Sequence, residues 1–329
     1  MGKIADEVSS QLQYLEQVRL RLPAHLSLAD ELSEVLGVSR DSAYRRIRGE
    51  TILSLDEARK LFVRYGVSLD SLFSPNSKMV PFLQTALSPQ YTLMEWLGSI
   101  FENLNWARSA KESQLIFAAK DVPLFHFFRQ PELAAFKLFF WQKTLLKDAR
   151  LNQQVYRPDV LPKELIHKAT QVWQAYSHFP STEIWSAETI TGTLKQIEFY
   201  HECGFFSQPA QSIELCNQLQ ALINVIKEEA AEGKKGEGGA SYQLYENGIL
   251  IADNTIFAKL DGRELVYISY NTTNLLTTTD PAFCQQTTTY FENLIKTSAL
   301  ISTSALRERN KFFNRIQEQI EQLTKKLAG

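Results

Sequence analysis

The apolar positions between residues 26 and 49 form two short helical stripes separated by a sharp break. Ser27 is a helix N-cap, and Gly37 can take the positive φ that ends a helix abruptly. Ser39 is a second N-cap. The stripe after Ser27 recurs at helical spacing and consists of Leu28, Leu32, Val35 and Leu36. The pattern predicts a helix, a tight turn and a second helix.

The second helix, residues 40–48, has only two inward-facing apolar positions, Ala43 and Ile47, at i and i+4. Its other positions are polar and rich in arginine, and such a short helix suits the major groove of DNA. The candidate DNA-binding residues are Ser39, Arg40, Asp41, Tyr44, Arg45 and Arg48. The alternative interpretation is two packed helices with a solvated arginine face.

Residues 26–73 resemble the Cro-repressor-like (Xre, lambda repressor-like) helix-turn-helix family. The resemblance rests on Ser33, Leu36-Gly37-Val38-Ser39 and Arg48-Gly49-Glu50, followed by helical segments at residues 54–61 and 65–73. It implies a small helical bundle that binds double-stranded DNA and regulates transcription. The sequence departs from the family at Arg46, where an apolar residue is frequent, so Ile47 must supply that packing.

The chain is predicted to be multidomain, with three segments. An amphipathic helix at residues 3–22 is expected to open an all-α helix-turn-helix domain, residues 1–78, which ends in a turn-rich linker at residues 74–78. An α/β (α+β) regulatory or ligand-sensing domain follows at residues 79–303, and a C-terminal helix at residues 304–329.

The middle segment is predicted to mix helices with a sheet. The apolar run Gln114–Ala119 favours a buried strand. Residues 232–240, rich in glycine and charge, predict a mobile loop. Helices are expected at residues 88–110, 131–147, 162–178, 188–203, 208–231 and 283–300.

Four short β-branched and aromatic segments, at residues 242–245, 248–252, 255–260 and 264–270, predict an antiparallel meander. The dipeptides Asn247-Gly248 and Asp261-Gly262 are hairpin signals between them.

This meander, with the helix after it, resembles sensor domains of the phospholipase-D-like superfamily in its strand order and in Tyr267-Ile268-Ser269-Tyr270-Asn271. The His-x-Lys motif of that superfamily's enzymes is absent from this region, so the resemblance implies a non-catalytic domain.

An apolar stripe with four- and three-residue steps runs along the C-terminal helix, interrupted by Arg309. It consists of Leu306, Phe313, Ile316, Ile320, Leu323 and Leu327. Such a stripe is typical of a coiled coil that makes a homodimer, or of a terminal helix docked on its own domain.

Composition narrows the class of protein. The 329 residues have a formal net charge of −2, so DNA affinity must come from a local patch, here Arg40, Arg45, Arg46 and Arg48 against Asp41. Three cysteines without paired spacing favour a reducing cytoplasm. No apolar run is long enough to cross a bilayer, so no membrane partner is expected.

The sequence contains no convincing catalytic constellation, so no enzyme activity, cofactor or metal is expected. A zinc site at His201 and Cys203 is improbable because their spacing is unsuitable. Aromatic and polar side chains are candidates for a ligand cavity, or else belong to the core and the sheet surface: Phe139, Trp141, Tyr267, Tyr270, Asn271 and Thr272.

The sequence therefore predicts a dimeric DNA-binding transcription regulator with a C-terminal sensor domain for a small-molecule or protein effector. Two alternatives stay open. One is an enzyme with an appended DNA-binding domain, and the other is a protein-interaction module.

Overall fold

The computed structural model describes residues 9–22, 26–67, 69, 80–85, 92–249, 251–271 and 274–329. The chain divides into two compact units, residues 1–83 and residues 84–329. The predicted linker at residues 74–78 lies outside the described residues, and the boundary at residue 78 stays a prediction.

The smaller unit is helical, as predicted. Its helices are α1 (Ser10–Arg21), α2 (Leu28–Leu36), α3 (Arg40–Ile47) and α4 (Leu55–Tyr65). Their apolar faces enclose one core, and the hydroxyl of the buried Tyr14 donates to the carbonyls of Ala58 and Val67, at 3.0 Å each. The start of the first predicted helix, residues 3–8, lies outside the described residues, as do residues 68 and 70–73 of the last predicted helical segment.

The larger unit is built on a mixed sheet. In the described part of the chain it has nine strands: β1 (Leu83–Thr85), β2 (Ser113–Ala119), β3 (Ser181–Trp185), β4 (Lys234–Lys235), β5 (Ala240–Glu246), β6 (Thr255–Leu260), β7 (Arg263–Asn271), β8 (Asn274–Thr278) and β9 (Ala299–Leu300). The order is β1-β8-β7-β6-β2-β3-β5-β4, with β9 paired to β5. Strands β2, β3 and β5 are mutually parallel, and the other recorded pairings are antiparallel.

Helices cover both faces of this sheet. They are α5 (Leu93–Arg108), α6 (Leu124–Phe127), α7 (Pro131–Phe140), α8 (Lys163–Ser177), α9 (Thr191–Glu202), α10 (Ala210–Glu232), α11 (Pro281–Lys296) and α12 (Leu306–Ala328). A π-helical turn, Trp141–Leu145, continues α7. The helix predicted from residue 88 has its described start at Leu93, where Thr92 and Glu95 form a capping box.

The alternation of β2 shows how the two faces are used. Leu115 and Phe117 point into the main core with residues from α5, α7, α8, α10 and α12, whereas Ile116 and Ala118 belong to a smaller core under α11. The strand is buried on both faces, which explains the continuous apolar run in its sequence.

The predicted four-strand meander is only partly correct. Strands β6, β7 and β8 do form an antiparallel meander, and Asp261-Gly262 makes the first hairpin turn, with φ of 48° and 81°. However, β5 lies inside the sheet, parallel to β3, and residues 248, 249, 251 and 252 are not in a strand. The connection from β3 to β5 runs through α9 and α10, and a long crossover of this kind places the second strand parallel to the first.

The prediction of a mobile loop at residues 232–240 is wrong. Lys234–Lys235 forms β4, which pairs antiparallel with the start of β5, and Gly233 ends α10 in the left-handed conformation, φ 69°. The Lys235 side chain is fully buried, so this segment is anchored in the core. Its composition resembles that of a linker, but the glycines serve the turns of a tight hairpin.

The apolar stripe of the C-terminal helix is buried within the chain from Phe313 to Leu327, whereas its first member, Leu306, is exposed. Phe313, Ile316 and Ile320 of α12 belong to the main core together with side chains of α9 and α10. Arg309 is buried too, and its guanidinium donates to the carbonyls of Ile301 and Thr303, at 3.0 and 3.1 Å. The stripe from Phe313 to Leu327 is thus covered by the chain's own core and is not free to act as a coiled-coil seam.

Candidate functional site

The turn between α2 and α3 depends on Gly37, which has φ 70°. The N–H groups of Gly37 and Val38 both donate to the Ser33 carbonyl, at 3.1 Å each. The Ser33 hydroxyl donates to the Val38 carbonyl at 2.6 Å. These bonds satisfy the end of α2 and fix the direction in which α3 leaves.

Helix α3 then begins at the N-cap predicted for it. The Ser39 hydroxyl accepts from the Ser42 N–H at 3.2 Å, and Ala43 is completely buried against the core. This rotation exposes the predicted DNA-binding residues: Ser39, Arg40, Asp41, Tyr44, Arg45 and Arg48. Which of them meet bases or phosphates stays a prediction.

The arginines of this face have more acidic neighbours than the sequence analysis assumed. Arg40 Nε lies 3.0 Å from Asp30 on α2, Arg48 Nε lies 2.7 Å from Glu50, and Arg45 Nε lies 3.8 Å from Glu50. The hydrogen bonds that Arg48 donates to Glu50 raise the pKa of Arg48 and lower the pKa of Glu50. All these side chains are well exposed, so water and salt weaken the pairs, and DNA phosphates can replace the carboxylates.

Arg46 is the departure from the family pattern, and the structure shows its role. Its guanidinium pairs with Glu57 of α4 at 2.7 Å and donates to the Ser42 hydroxyl at 2.6 Å. Burial alone would raise the pKa of Glu57, but the bonds from Arg46 and from the Ser54 backbone outweigh it and lower that pKa. Arg46 therefore ties α3 to α4 by a polar bridge instead of an apolar contact, and it does not belong to the exposed patch.

Gln11 of α1 supports the far end of α3, a role that the sequence analysis missed. Its side-chain amide donates to the carbonyls of Arg46 and Thr51, at 2.9 and 2.8 Å, and accepts from the Leu53 N–H at 2.8 Å. Gln11 lies one helical turn before the buried Tyr14 and Leu15, on the core-facing side of α1, and this position was the available signal.

Residues 18–72 match the model of the helix-turn-helix family. This match covers the last residues of α1 together with α2, α3 and α4, and none of the larger unit. Comparison with curated proteins and with solved structures found no match. None of the comparisons supports the resemblance of the C-terminal region to phospholipase-D-like sensor domains.

The larger unit contains a cavity of about 380 Å³ between α5, α6 and the β2–β6–β7 part of the sheet. Trp141, Tyr267, Tyr270 and Asn271 all line it. Phe139 is buried in the main core, off the cavity wall, and Thr272 lies outside the described residues. Of the five ligand-binding candidates among the described residues, the structure thus brings four together and leaves out Phe139, and ligand binding itself stays a prediction.

Of the charged side chains that line the cavity in the described part of the chain, only that of Lys137 is buried. Its Nζ donates to Gln196 at 2.8 Å and to Thr193 at 3.2 Å, both on α9. Burial lowers the pKa of Lys137 to about 8, and the negative charge of Asp121 opposes that shift. Lys137 was not among the ligand-binding candidates predicted from the sequence. Its position one turn before Trp141 was the available signal.

A second group of buried polar side chains lies around Glu183 of β3. The carboxylate accepts hydrogen bonds from Tyr176 at 2.6 Å, from Trp185 at 2.9 Å and from Tyr242 at 3.2 Å, and His126 Nε2 lies 3.0 Å from it. Burial alone would raise the pKa of Glu183, but His126, the charge of Lys235 and the hydrogen bond from Tyr176 lower it to about 2. The cluster joins β3 to α6, α8 and β5.

Lys235 adds a buried amine to this cluster. Its Nζ donates to Ser181 at 2.5 Å and lies 3.5 Å from the centroid of the Tyr176 ring. Burial lowers the pKa of Lys235 to about 7, although the charges of Glu183 and Glu229 oppose that shift. All these groups are sealed from solvent, so we interpret the cluster as a structural network of the sheet.

Within the described residues, no group of three or more histidine, cysteine or acidic side chains is arranged to hold a metal ion. His201 Nδ1 lies 2.8 Å from the Ser212 hydroxyl, and Cys203 is exposed. Among the described helices, none is long and apolar enough to cross a membrane.

Proposed function

We propose that the protein is a sequence-specific transcription regulator that places α3 in the major groove of duplex DNA. The observation that carries this proposal is the exposed arginine-rich face of α3, held by the turn at Gly37, within a segment that matches the helix-turn-helix family. An α-helix fits the width of the major groove, and the polar face of α3 suits contacts with the base edges there.

The position of each side chain along α3 suggests its role. Arg40 and Asp41 lie at the N-terminal end, where recognition helices contact base edges. Arg40 is free to exchange Asp30 for the O6 and N7 acceptors of a guanine, a bidentate contact worth about 1–3 kcal/mol of discrimination. Arg45 and Arg48 lie further along the helix and are assigned to phosphates.

The regulator is proposed to act as a homodimer, with the larger unit supplying the dimer contact and sensing an effector. Two-fold symmetry would place two copies of α3 about 34 Å apart, on successive turns of the major groove. Because α12 buries its apolar stripe from Phe313 to Leu327 within the chain, we assign the dimer contact to another surface of the larger unit.

Salt dependence of DNA binding tests the assignment of Arg45. Each neutralised phosphate contributes about 0.9 to the slope of log affinity against log salt for duplex DNA. We expect Arg45→Ala to reduce the slope by about one contact and to weaken binding on all sequences alike. Arg157→Ala, which removes an exposed ion-paired arginine of the larger unit, is the matched control and should leave the slope unchanged.

Fluorescence anisotropy of a labelled duplex between 50 and 200 mM salt, roughly the range over which such slopes are measured, provides the readout. Equal slopes for wild type and Arg45→Ala would refute the phosphate assignment. No affinity of the wild-type protein for any duplex at low salt would refute DNA binding and favour the protein-interaction alternative.

A further inference from the structure

We infer that the cavity of the larger unit binds a small amphipathic anion, with an apolar or aromatic body and one carboxylate held by Lys137 and Trp141. This inference gives a chemical class to the effector in the proposed sensing role. It rests on that role only for its biological meaning, because the binding itself is measured without DNA.

The buried amine of Lys137 has only neutral groups as hydrogen-bond partners. Its side chain is only 5% exposed, and its hydrogen-bond partners Thr193 and Gln196 are both neutral. It forms no ion pair with any residue that the structure describes. A buried ammonium group without a carboxylate in direct contact favours the entry of an anion, since pairing offsets much of the cost of desolvation.

The indole N–H of Trp141 is a second hydrogen-bond donor close to the Lys137 amine. Lys137 Nζ lies 5.8 Å from the centroid of the Trp141 ring and 4.7 Å from that of Phe127. The indole Nε1–H of Trp141 is buried and has no acceptor among the described residues. Buried donors are nearly always satisfied in proteins. A carboxylate has two oxygens, so one can accept from Lys137 while the other accepts from Trp141.

The wall of the cavity is mostly apolar. Its aromatic members come from helices and strands on several sides, among them Trp96, Phe117, Phe127, Tyr267 and Tyr270. A volume of about 380 Å³ is at the small end of the range for ligand sites and suits a body of one or two rings. Asn271 lies on the same wall and is able to contact a polar substituent.

Asp121 explains why Lys137 stays charged. Its carboxylate also lines the cavity, and its negative charge raises the pKa of Lys137 against the effect of burial. A Cβ at Gly192 would lie 2.1 Å from Asp121 Oδ1, so the glycine at the start of α9 makes room for this carboxylate. The other charged lining residues, Lys120 and Asp253, are exposed.

The test compares an acid with its neutral amide on the full chain. The probes are 1-naphthaleneacetate and 1-naphthaleneacetamide, which share one apolar body and differ in charge. We expect isothermal titration at pH 7 to show the acid binding at least about tenfold more tightly than the amide, the factor given by about 1.4 kcal/mol. Equal affinities, or no binding of the acid, would overturn the inference.

Variants then locate the anion site. Lys137→Met should lose the preference for the acid while it keeps its affinity for the amide, and Trp141→Phe should lose part of that preference. Lys163→Met removes one positive charge at the exposed start of α8 and should change neither affinity. If Lys137→Met binds the acid as wild type does, the assignment is wrong. If Lys137→Met does not fold, the comparison of acid with amide and the Trp141→Phe variant still decide.

DNA affinity is measured on the same samples. A protein that binds duplex DNA but shows no preference for the acid leaves the proposed regulator intact and removes only the anion site. A protein that prefers the acid but binds no duplex DNA keeps the anion site and refutes the proposed DNA-binding regulator.

Discussion

The buried amine of Lys137 should cost the fold a measurable amount of stability at neutral pH. Burial lowers its pKa from 10.5 to about 8, and the amine contacts only neutral groups. A shift of this size corresponds to about 3 kcal/mol of destabilisation at pH 7, when each pKa unit counts about 1.4 kcal/mol. Lys137→Met removes this cost, and it also removes the hydrogen bonds to Thr193 and Gln196, which costs about 1–3 kcal/mol at any pH.

The pH dependence separates these two effects. Between about pH 8 and 10.5 the unfolded chain holds a proton at Lys137 that the folded chain does not, so wild-type stability rises with pH in that window. The penalty is complete below pH 8 and vanishes above 10.5. We therefore expect the stability of Lys137→Met relative to wild type to fall by about 2–3 kcal/mol between pH 7 and pH 10.

Urea denaturation followed by circular dichroism at both pH values measures this difference. The wild type and the variant share the titrations of Lys235 and of the buried tyrosines, so subtraction removes them. Lys163→Met, at an exposed position, should show no such change with pH. A stability difference between Lys137→Met and wild type that is the same at both pH values would refute the argument that Lys137 is buried as a cation.

Three further substitutions test the other structural arguments. Gly37→Ala should destabilise the smaller unit by about 1–2 kcal/mol, because φ 70° is strained for alanine although no atom would clash with its Cβ; thermal unfolding measures it, and an unchanged melting temperature would contradict it. Arg46→Met should lower the free energy of unfolding by about 1–3 kcal/mol, because Glu57 would keep a partly buried charge without its partner. Urea denaturation measures this, and a gain in stability would show that apolar packing suffices there. Glu183→Gln should cost about 3–5 kcal/mol near neutral pH, because it breaks a buried charge network. Since the folded pKa of Glu183 is about 2, this penalty should shrink as pH falls from about 4.5 towards 2, and a pH-independent penalty in acid denaturation would argue against a charged Glu183.

The smaller unit was predictable because its signals are local. The caps at Ser39 and Ser54, the glycine at position 37 and the apolar steps of α2 each act within one or two helical turns. Such signals are written in neighbouring residues, and they agree with one another here. What the sequence could not supply was the partner of each arginine, since Asp30 and Glu57 approach only after the helices pack.

The larger unit was harder because its sheet is assembled from distant segments. The alternation of β5 is the same in a hairpin and in a parallel pairing, and only the crossover through α10 places it beside β3. Likewise, the charge and glycine content of residues 232–240 predicted a loop, whereas the fold buries Lys235 beside Ser181. The four cavity residues were singled out by type, but their common cavity depends on tertiary packing.

The central proposal is that α3 contacts the bases of duplex DNA, and selection of bound duplexes from a random pool tests it most directly. We expect the full-length protein to enrich one motif with inverted symmetry and half-sites about 34 Å apart, and Arg40→Ala to lose the preference at one position of each half-site. A pool that stays random after selection with the wild-type protein, or a motif that Arg40→Ala leaves unaltered, would contradict the account.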